Sequence, residues 1–184
     1  MLQQDLSLNA EIKLYYDTFV PENAPKNAPL LVAVHGYGAH KRYMMREAQA
    51  VAPENFVIAS IQAPHQHFRP TADGYRIGFG WLTEYKAAES VALHHNFVNE
   101  VIERLASDET IDAEKVYLYG FSQACALNFR FAFTYPERVR GVIGVCGGHG
   151  HPRGRLTGAQ PRRSMRMWQV AAERNEHGFP GRRR

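Results

Sequence analysis

Residues 118–124, Leu-Tyr-Gly-Phe-Ser-Gln-Ala, place a serine between an apolar segment and a run of small residues. Gly120 lies two positions before Ser122, and Ala124 lies two positions after it. Small residues at these positions are typical of a nucleophile elbow, a sharp strand-to-helix turn that holds the serine hydroxyl above a sheet, where it can attack a carbonyl carbon. The alternative is a serine that only caps the following helix, a position that serine favours in many proteins.

A second glycine-rich segment, His35-Gly36-Tyr37-Gly38, follows the apolar run at residues 30–34. In an α/β architecture a flexible loop at this place can present a backbone amide toward the serine. We predict that the amides of Tyr37 and Gln123 form an oxyanion hole, because two NH donors stabilise the negative charge that develops on the carbonyl oxygen. His35 precedes the turn and is predicted to support the loop by hydrogen bonding rather than to act as the base.

The segments that must position these residues alternate between strand and helix patterns. Continuous apolar runs suit strands covered on both faces, whereas residues 86–106 repeat apolar side chains at helical intervals. We predict an α/β fold with a mostly parallel sheet, helices on both faces and ligands bound at the carboxyl ends of the strands. The predicted strands are a pair within residues 6–19 and then residues 30–34, 56–61, 116–119, 142–145 and 165–172. The predicted helices are residues 41–52, 86–106 and 122–135, with a long loop at residues 62–85.

Length and composition favour a single domain over residues 1–184, because a chain of this length with 45% hydrophobic residues can bury a core. The sequence lacks the roughly eighteen consecutive apolar residues of a membrane helix, and residues 1–5 lack the pattern of a secretory signal. We therefore expect a cytoplasmic protein without a membrane span. Cys125 and Cys146 are expected to be buried, reduced thiols rather than a disulfide.

The basic charge of the chain is confined to its carboxyl end. Residues 1–147 contain 13 Lys or Arg against 16 Asp or Glu, whereas residues 148–184 contain nine Arg against two Glu. Clustered arginines can neutralise nucleic-acid phosphates, and an arginine-tailed interaction protein is one alternative function. No nucleic-acid partner is predicted, because few aromatic residues that could stack on bases, such as Trp168, are interleaved with these arginines.

Three segments of the chain together resemble one protein family. They are the His-Gly-Tyr-Gly sequence at 35–38, residues 111–124 (IDAEKVYLYGFSQA) and residues 135–148 (YPERVRGVIGVCGG). These segments resemble the serine carboxylesterase and phospholipase group of the α/β-hydrolase superfamily, which includes acyl-protein thioesterases. The three segments support a resemblance over roughly residues 28–148. Residues 1–148 as a whole are predicted to be the part that matches the family, and residues 149–184 form an atypical, arginine-rich end.

The resemblance implies hydrolysis of a small-molecule carboxylic ester or thioester, with no cofactor. Ser122 would form an acyl-enzyme, a histidine would accept its proton, and an aspartate would orient that histidine. Short to medium acyl groups are expected, because the sequence lacks an amphipathic helix that would serve as a lid. The resemblance also places Phe79, Trp81 and Leu82 beside the acyl pocket, although these residues could equally pack their loop against the core.

The carboxyl end departs from the family pattern. Asn175 stands where the family has its aspartate, and His177, two positions later, is a substitute base. The family's last strand, its histidine and the closing helix have no counterpart, so we expect a truncated or frame-altered end. Further candidates for the partners of the serine are Glu173, Glu176, His149 and His151. The alternative function is a catalytically impaired relative that binds an acyl or ester-like ligand, and a homodimer that supplies the missing groups is a further possibility.

Two histidine pairs raise the question of a metal site. His65 and His67 are separated by one residue, and His94 and His95 are adjacent within a helical segment. Neither pair has the i, i+4 spacing or the cysteine partners that make a zinc signal strong. No metal is predicted.

Overall fold

The computed structural model of the chain describes residues 1–147 and 166–170. Eight strands and three helices lie within these residues. The strands are β1 Tyr16–Phe19, β2 Ala28–Val34, β3 Val57–Ile61, β4 His65–Thr71, β5 Gly74–Gly80, β6 Ile111–Phe121, β7 Gly141–Val145 and β8 Arg166–Val170. The helices are α1 Lys41–Val51, α2 Ala87–Ser107 and α3 Gln123–Thr134. None of these helices is long and apolar enough to cross a membrane.

The described strands form a main sheet in the order β1-β3-β2-β6-β7-β8 and a separate hairpin of β4 and β5. All neighbours in the main sheet are parallel except β1, which runs antiparallel to β3. Parallel strands bring their carboxyl ends to one edge of the sheet, so the residues that follow β2, β6 and β7 lie close together. The predicted mostly parallel sheet is confirmed.

Helices cover both faces of the sheet, as predicted. One face of β2, with Leu30 and Val32, packs against α2 and α3 in the larger core cluster. The opposite face, with Leu31 and Ala33, packs against Met44 of α1 in a smaller cluster. This double burial explains why the sequence of β2 is continuously apolar rather than alternating.

Two predictions about the amino-terminal half were wrong. Only residues 16–19 of the predicted pair of strands at 6–19 are a strand, because Leu6, Leu8 and Ile12 are exposed and have no neighbouring strand. Residues 65–80, expected to be part of a long loop, form the β4–β5 hairpin. Pro64, Pro70 and Gly74 suggested a loop, but both strands of a two-stranded hairpin are edges, where Pro70 is tolerated.

The expectation that both cysteines are buried holds for one of them. Cys125 in α3 is buried, whereas Cys146 is exposed, and both are free thiols. Cys146 is exposed because β7 ends at Val145, so the thiol lies just beyond the buried strand at the carboxyl edge of the sheet.

Candidate active site

Ser122 lies in the turn that joins β6 to α3 and has φ 53° and ψ −114°. An L-residue rarely adopts this conformation, which carries a strain of about 1–3 kcal/mol. The serine is exposed, and its side chain makes no capping hydrogen bond to the helix. The turn therefore presents the hydroxyl at the carboxyl edge of the sheet and does not use it as a helix cap.

The small residues around Ser122 are required by close packing. A methyl group added to Gly120 would lie 2.7 Å from the side-chain nitrogen of Asn128 and 3.2 Å from the carbonyl carbon of Ala124. A methyl group on Gly36 would lie 3.3 Å from Cβ of Ser122. The turn and the 35–38 loop are thus in contact. Neither Gly36 nor Gly120 can be replaced by a larger residue without displacing the neighbouring atoms.

Backbone hydrogen bonds fix the turn to the neighbouring strand. The amide of Ser122 donates to the carbonyl oxygen of Val145 at 2.8 Å, and the amide of Cys125 donates to the carbonyl oxygen of Ser122 at 3.1 Å. The carboxyl end of β7 therefore holds the strained conformation in place.

His35 supports the 35–38 loop from below. Its ring is buried, with Nδ1 2.8 Å from the carbonyl oxygen of Gly36 and Nε2 accepting from the amide of Ala63 at 3.0 Å. Because Nε2 accepts, the proton lies on Nδ1, which donates to Gly36. Burial lowers the pKa of His35 to about 4, which keeps the ring neutral near pH 7. The predicted supporting role agrees with these contacts.

The hairpin holds the same loop from the other side. The amide of Gly38 donates to the carbonyl oxygen of Phe79 at 2.8 Å. The ring of Tyr37 stacks on His67 with 4.3 Å between centroids. The backbone amides of Tyr37 and Gln123 make no hydrogen bond to any other residue that the structure describes, and their role as an oxyanion hole stays a prediction.

The side chain of Gln123 links the turn to the segment after β5. Its Oε1 accepts from the amide of Trp81 at 2.9 Å, and its Nε2 donates to the carbonyl oxygen of Leu82 at 3.3 Å. Sequence reasoning used only the backbone of this residue. No local pattern reveals the side-chain role, because the partners lie about forty residues away.

We expect Gln123→Met to loosen the segment at residues 81–82 while leaving the backbone of the turn in place. Loss of this half-buried hydrogen bond, worth about 1 kcal/mol, should speed hydrogen exchange at the Trp81 amide roughly fivefold. Exchange at the Ala63 amide, which His35 protects, is the internal control. Equal protection of Trp81 in both proteins would show that the glutamine does not restrain this segment.

A sequence profile of the phospholipase/carboxylesterase family matches residues 16–158, which is most of the chain. The chain belongs to this family. The matched region contains both the 35–38 loop and the turn at Ser122.

Three proteins are similar to this chain, one in sequence and two in fold. Poly(3-hydroxyalkanoate) depolymerase C of Paucimonas lemoignei is 24% identical over 136 residues, which are 70% of this chain and 30% of that protein. Esterase PE8 aligns with a TM-score of 0.56 at 20% identity, over 74% of this chain and 65% of that one. Acyl-protein thioesterase 2 of Zea mays aligns with a TM-score of 0.51 at 16% identity, over 72% of this chain and 62% of that one. The chain spans less than two thirds of each of these three proteins, and the structural likenesses establish an α/β-hydrolase fold.

The predicted acyl-pocket residues differ in their burial. Trp81 is only 1% exposed, and its Nε1 donates to the carbonyl oxygen of His35 at 2.8 Å. Phe79 and Leu82 are half-buried and pack against the core. All three residues thus pack their segment against the core, and the acyl-pocket role of Phe79, Trp81 and Leu82 stays a prediction.

The predicted partners of Ser122 lie outside the described residues. Asn175 and His177 fall in this part of the chain, as do the further candidates Glu173, Glu176, His149 and His151. Their roles remain predictions from the sequence.

The histidines of both pairs contact neighbouring protein side chains. His65 Nε2 lies 3.0 Å from the hydroxyl of Ser90, and His67 stacks on Tyr37. His94 and His95 are buried side by side in α2, and His94 packs edge-on against Trp81. Within residues 1–147 and 166–170, no three His, Cys, Asp or Glu side chains are grouped so that they could hold a metal ion.

Proposed function

We propose that this chain is a serine hydrolase that cleaves small carboxylic esters or thioesters through an acyl-enzyme on Ser122. The observation that carries the proposal is the exposed serine in a strained turn beside a loop with an unpaired amide. Serine is held in such a conformation when its hydroxyl must project from the sheet. Family membership supports the same reaction type.

In the proposed reaction Oγ of Ser122 attacks the carbonyl carbon of the ester, and the carbonyl oxygen becomes negatively charged. The amides of Tyr37 and Gln123 donate to that oxygen as an oxyanion hole. The alcohol or thiol then leaves with a proton, and water hydrolyses the acyl-enzyme to release the acid and the free serine. His177 is the proposed base, with Asn175 in the position of the orienting residue.

A catalytically impaired protein that binds an ester-like ligand is the second candidate function. It is favoured by the amide at position 175, because an asparagine accepts a hydrogen bond from an imidazole but cannot stabilise the imidazolium by charge.

The substrates to compare in tests of the hydrolase are small esters, thioesters and oligoesters of hydroxy acids. The oligoesters are included because one relative is a poly(3-hydroxyalkanoate) depolymerase.

Labelling with a fluorophosphonate tests the proposal. The probe should form a covalent adduct on Ser122, located by mass spectrometry of the 116–130 peptide, and hydrolysis of p-nitrophenyl butyrate should stop when the adduct forms. Ser122→Ala should lose both signals, whereas Ser107→Ala, at an exposed serine that ends α2, should keep both. Equal hydrolysis by wild type and Ser122→Ala would contradict the proposal. Ligand binding without labelling would favour the impaired protein.

A further inference from the structure

A cleft of about 770 Å³ lies next to the turn at Ser122. Its walls are the 37–40 segment, Tyr43 of α1, both strands of the hairpin and Phe121, the residue immediately before the serine. The volume suits a small organic ligand. A substrate whose ester bond lies at Ser122 can therefore extend one of its ends into this cleft.

Two arginines of the hairpin line this cleft. Arg69 in β4 and Arg76 in β5 are directly opposite each other in the strand register, so their side chains leave the hairpin on the same face. Like charges in this arrangement repel each other. A methyl group added to Gly38 would lie 3.6 Å from both Cδ and Nη1 of Arg69, which places this guanidinium against the 35–38 loop.

These arginines have no carboxylate partner in the part of the chain that the structure describes. Arg138 and Arg140, by contrast, pair with Glu103 and Glu114. No Asp or Glu among the described residues lines the cleft, and Asp73 in the hairpin turn makes no ion pair with either arginine. Glu47, the acidic residue of α1, lines a smaller neighbouring cavity that shares Ala39, Tyr43 and Phe121 with the cleft. The cleft is therefore lined by two positive charges that have no ion-pair partner within residues 1–147 and 166–170.

The hairpin that carries these charges is anchored beside the turn at Ser122. The hairpin is anchored to the 35–38 loop by the hydrogen bond from Gly38 to Phe79 and by the stacking of Tyr37 on His67. A methyl group on Gly78 would lie 3.2 Å from Cα of Gly38, so the hairpin and the loop are in direct contact. The hairpin that carries the two arginines is thus anchored to the loop beside Ser122.

We infer that the Arg69–Arg76 pair binds an anionic group, a carboxylate or a phosphate, on the ester that Ser122 attacks. Guanidinium groups bind both anions through pairs of parallel hydrogen bonds, and an anion between two arginines would relieve their repulsion. The inference rests on the proposed function, since it defines the substrate class of the same site. The substrate is a small ester whose acyl or alcohol part carries a negative charge.

Three esters of glycerol with four-carbon acyl groups test this inference. Glycerol monobutyrate is neutral, glycerol monosuccinate has a carboxylate on the acyl part, and 1-butyrylglycerol 3-phosphate has a phosphate on the alcohol part. At least one anionic ester should exceed the neutral ester in kcat/KM by about tenfold or more. The ester that is preferred shows which part of the substrate lies in the cleft and which anion binds.

Variants of the pair provide the comparison. In Arg69→Gln/Arg76→Gln the ratio of anionic to neutral kcat/KM should fall toward one. In Arg69→Lys/Arg76→Lys the ratio should lie between those of the wild type and the glutamine variant, because lysine keeps the charge but loses the paired hydrogen bonds. Arg104→Gln, which removes an exposed charge from the last turn of α2, should leave the ratio unchanged. Using a ratio cancels any general effect of the variants on the turn.

Binding separates the inference from the proposed function. Dissociation constants of the three esters for Ser122→Ala, measured by calorimetry, should show the same preference without turnover. If no ester is hydrolysed, the proposed function fails, and these constants alone decide the inference. A ratio near one for the wild type, or a ratio that Arg69→Gln/Arg76→Gln does not change, would overturn it.

Discussion

Replacing Ser122 with glycine is expected to abolish ester hydrolysis and to give a more stable folded chain than the alanine variant. The loss of kcat/KM should be about 10,000-fold or more in both variants, because neither residue has a nucleophilic oxygen. Their stabilities should differ, because φ 53° and ψ −114° strain any residue with a Cβ atom but suit glycine. We expect Ser122→Gly to exceed Ser122→Ala in the free energy of unfolding by about 1–2 kcal/mol.

Urea unfolding of the two variants measures this difference. Ser107 provides a matched pair of changes, because it ends α2 with ordinary helical geometry. There glycine should be less stable than alanine, by about 0.5–1 kcal/mol. If the difference in free energy of unfolding between the glycine and alanine variants has opposite signs at positions 122 and 107, the strain belongs to position 122. If glycine were also the less stable residue at 122, the turn would not be strained in solution, and the argument for a preorganised hydroxyl would fail.

The sequence predicted the sheet and the turn because both depend on local patterns. Residues 30–34 are apolar without interruption, which indicates a strand buried on both faces, and β2 at residues 28–34 has that burial. The small residues around Ser122 likewise predicted a sharp turn, and the conformation of the serine shows one. In both cases the constraint acts between residues close in the chain, so the sequence carries it directly.

Features that depend on distant contacts could not be predicted in this way. The side chain of Gln123 forms hydrogen bonds with residues 81 and 82, and the buried Trp81 donates from its indole nitrogen to the carbonyl oxygen of His35. The hairpin at residues 65–80 was missed because Pro64, Pro70 and Gly74 suggested a loop, although the Asp73-Gly74 pair is a hairpin signal. Local propensity cannot show that this hairpin packs on the 35–38 loop.

Acidification from pH 7 to pH 5 is expected to destabilise the chain by about 5 kcal/mol, through three buried histidines. Burial lowers the pKa of His35 to about 4, of His94 to about 3 and of His95 to about 4. Below their ordinary pKa of 6.5, these residues bind protons in the unfolded chain but not in the folded one. Stability is therefore greatest above pH 6.5 and falls as the pH drops toward 4. Each histidine contributes about 2 kcal/mol at pH 5.

The surroundings of His94 explain why it stays neutral. Its ring nitrogens have no hydrogen-bond partner among the described residues, and it packs against Trp81 and His95. A charge there would be desolvated and would lie beside a second histidine. Urea unfolding between pH 7 and pH 4.5 measures the effect, and its steepest slope should approach three protons, or about 4 kcal/mol per pH unit.

Substitution of one histidine shows whether these groups carry the pH dependence. His94→Leu removes one titrating group, so its loss of stability between pH 7 and pH 5 should be smaller than that of the wild type by about 2 kcal/mol. Phe97→Leu, a change in the same buried face of α2, should lower the free energy of unfolding by a similar amount at both pH values, because it removes packing but no proton-binding group. If the pH dependence of stability were the same in His94→Leu as in the wild type, His94 would have to bind a proton as readily in the folded chain as in the unfolded one. A ring in this apolar site cannot do so without opening the contact between α2 and Trp81.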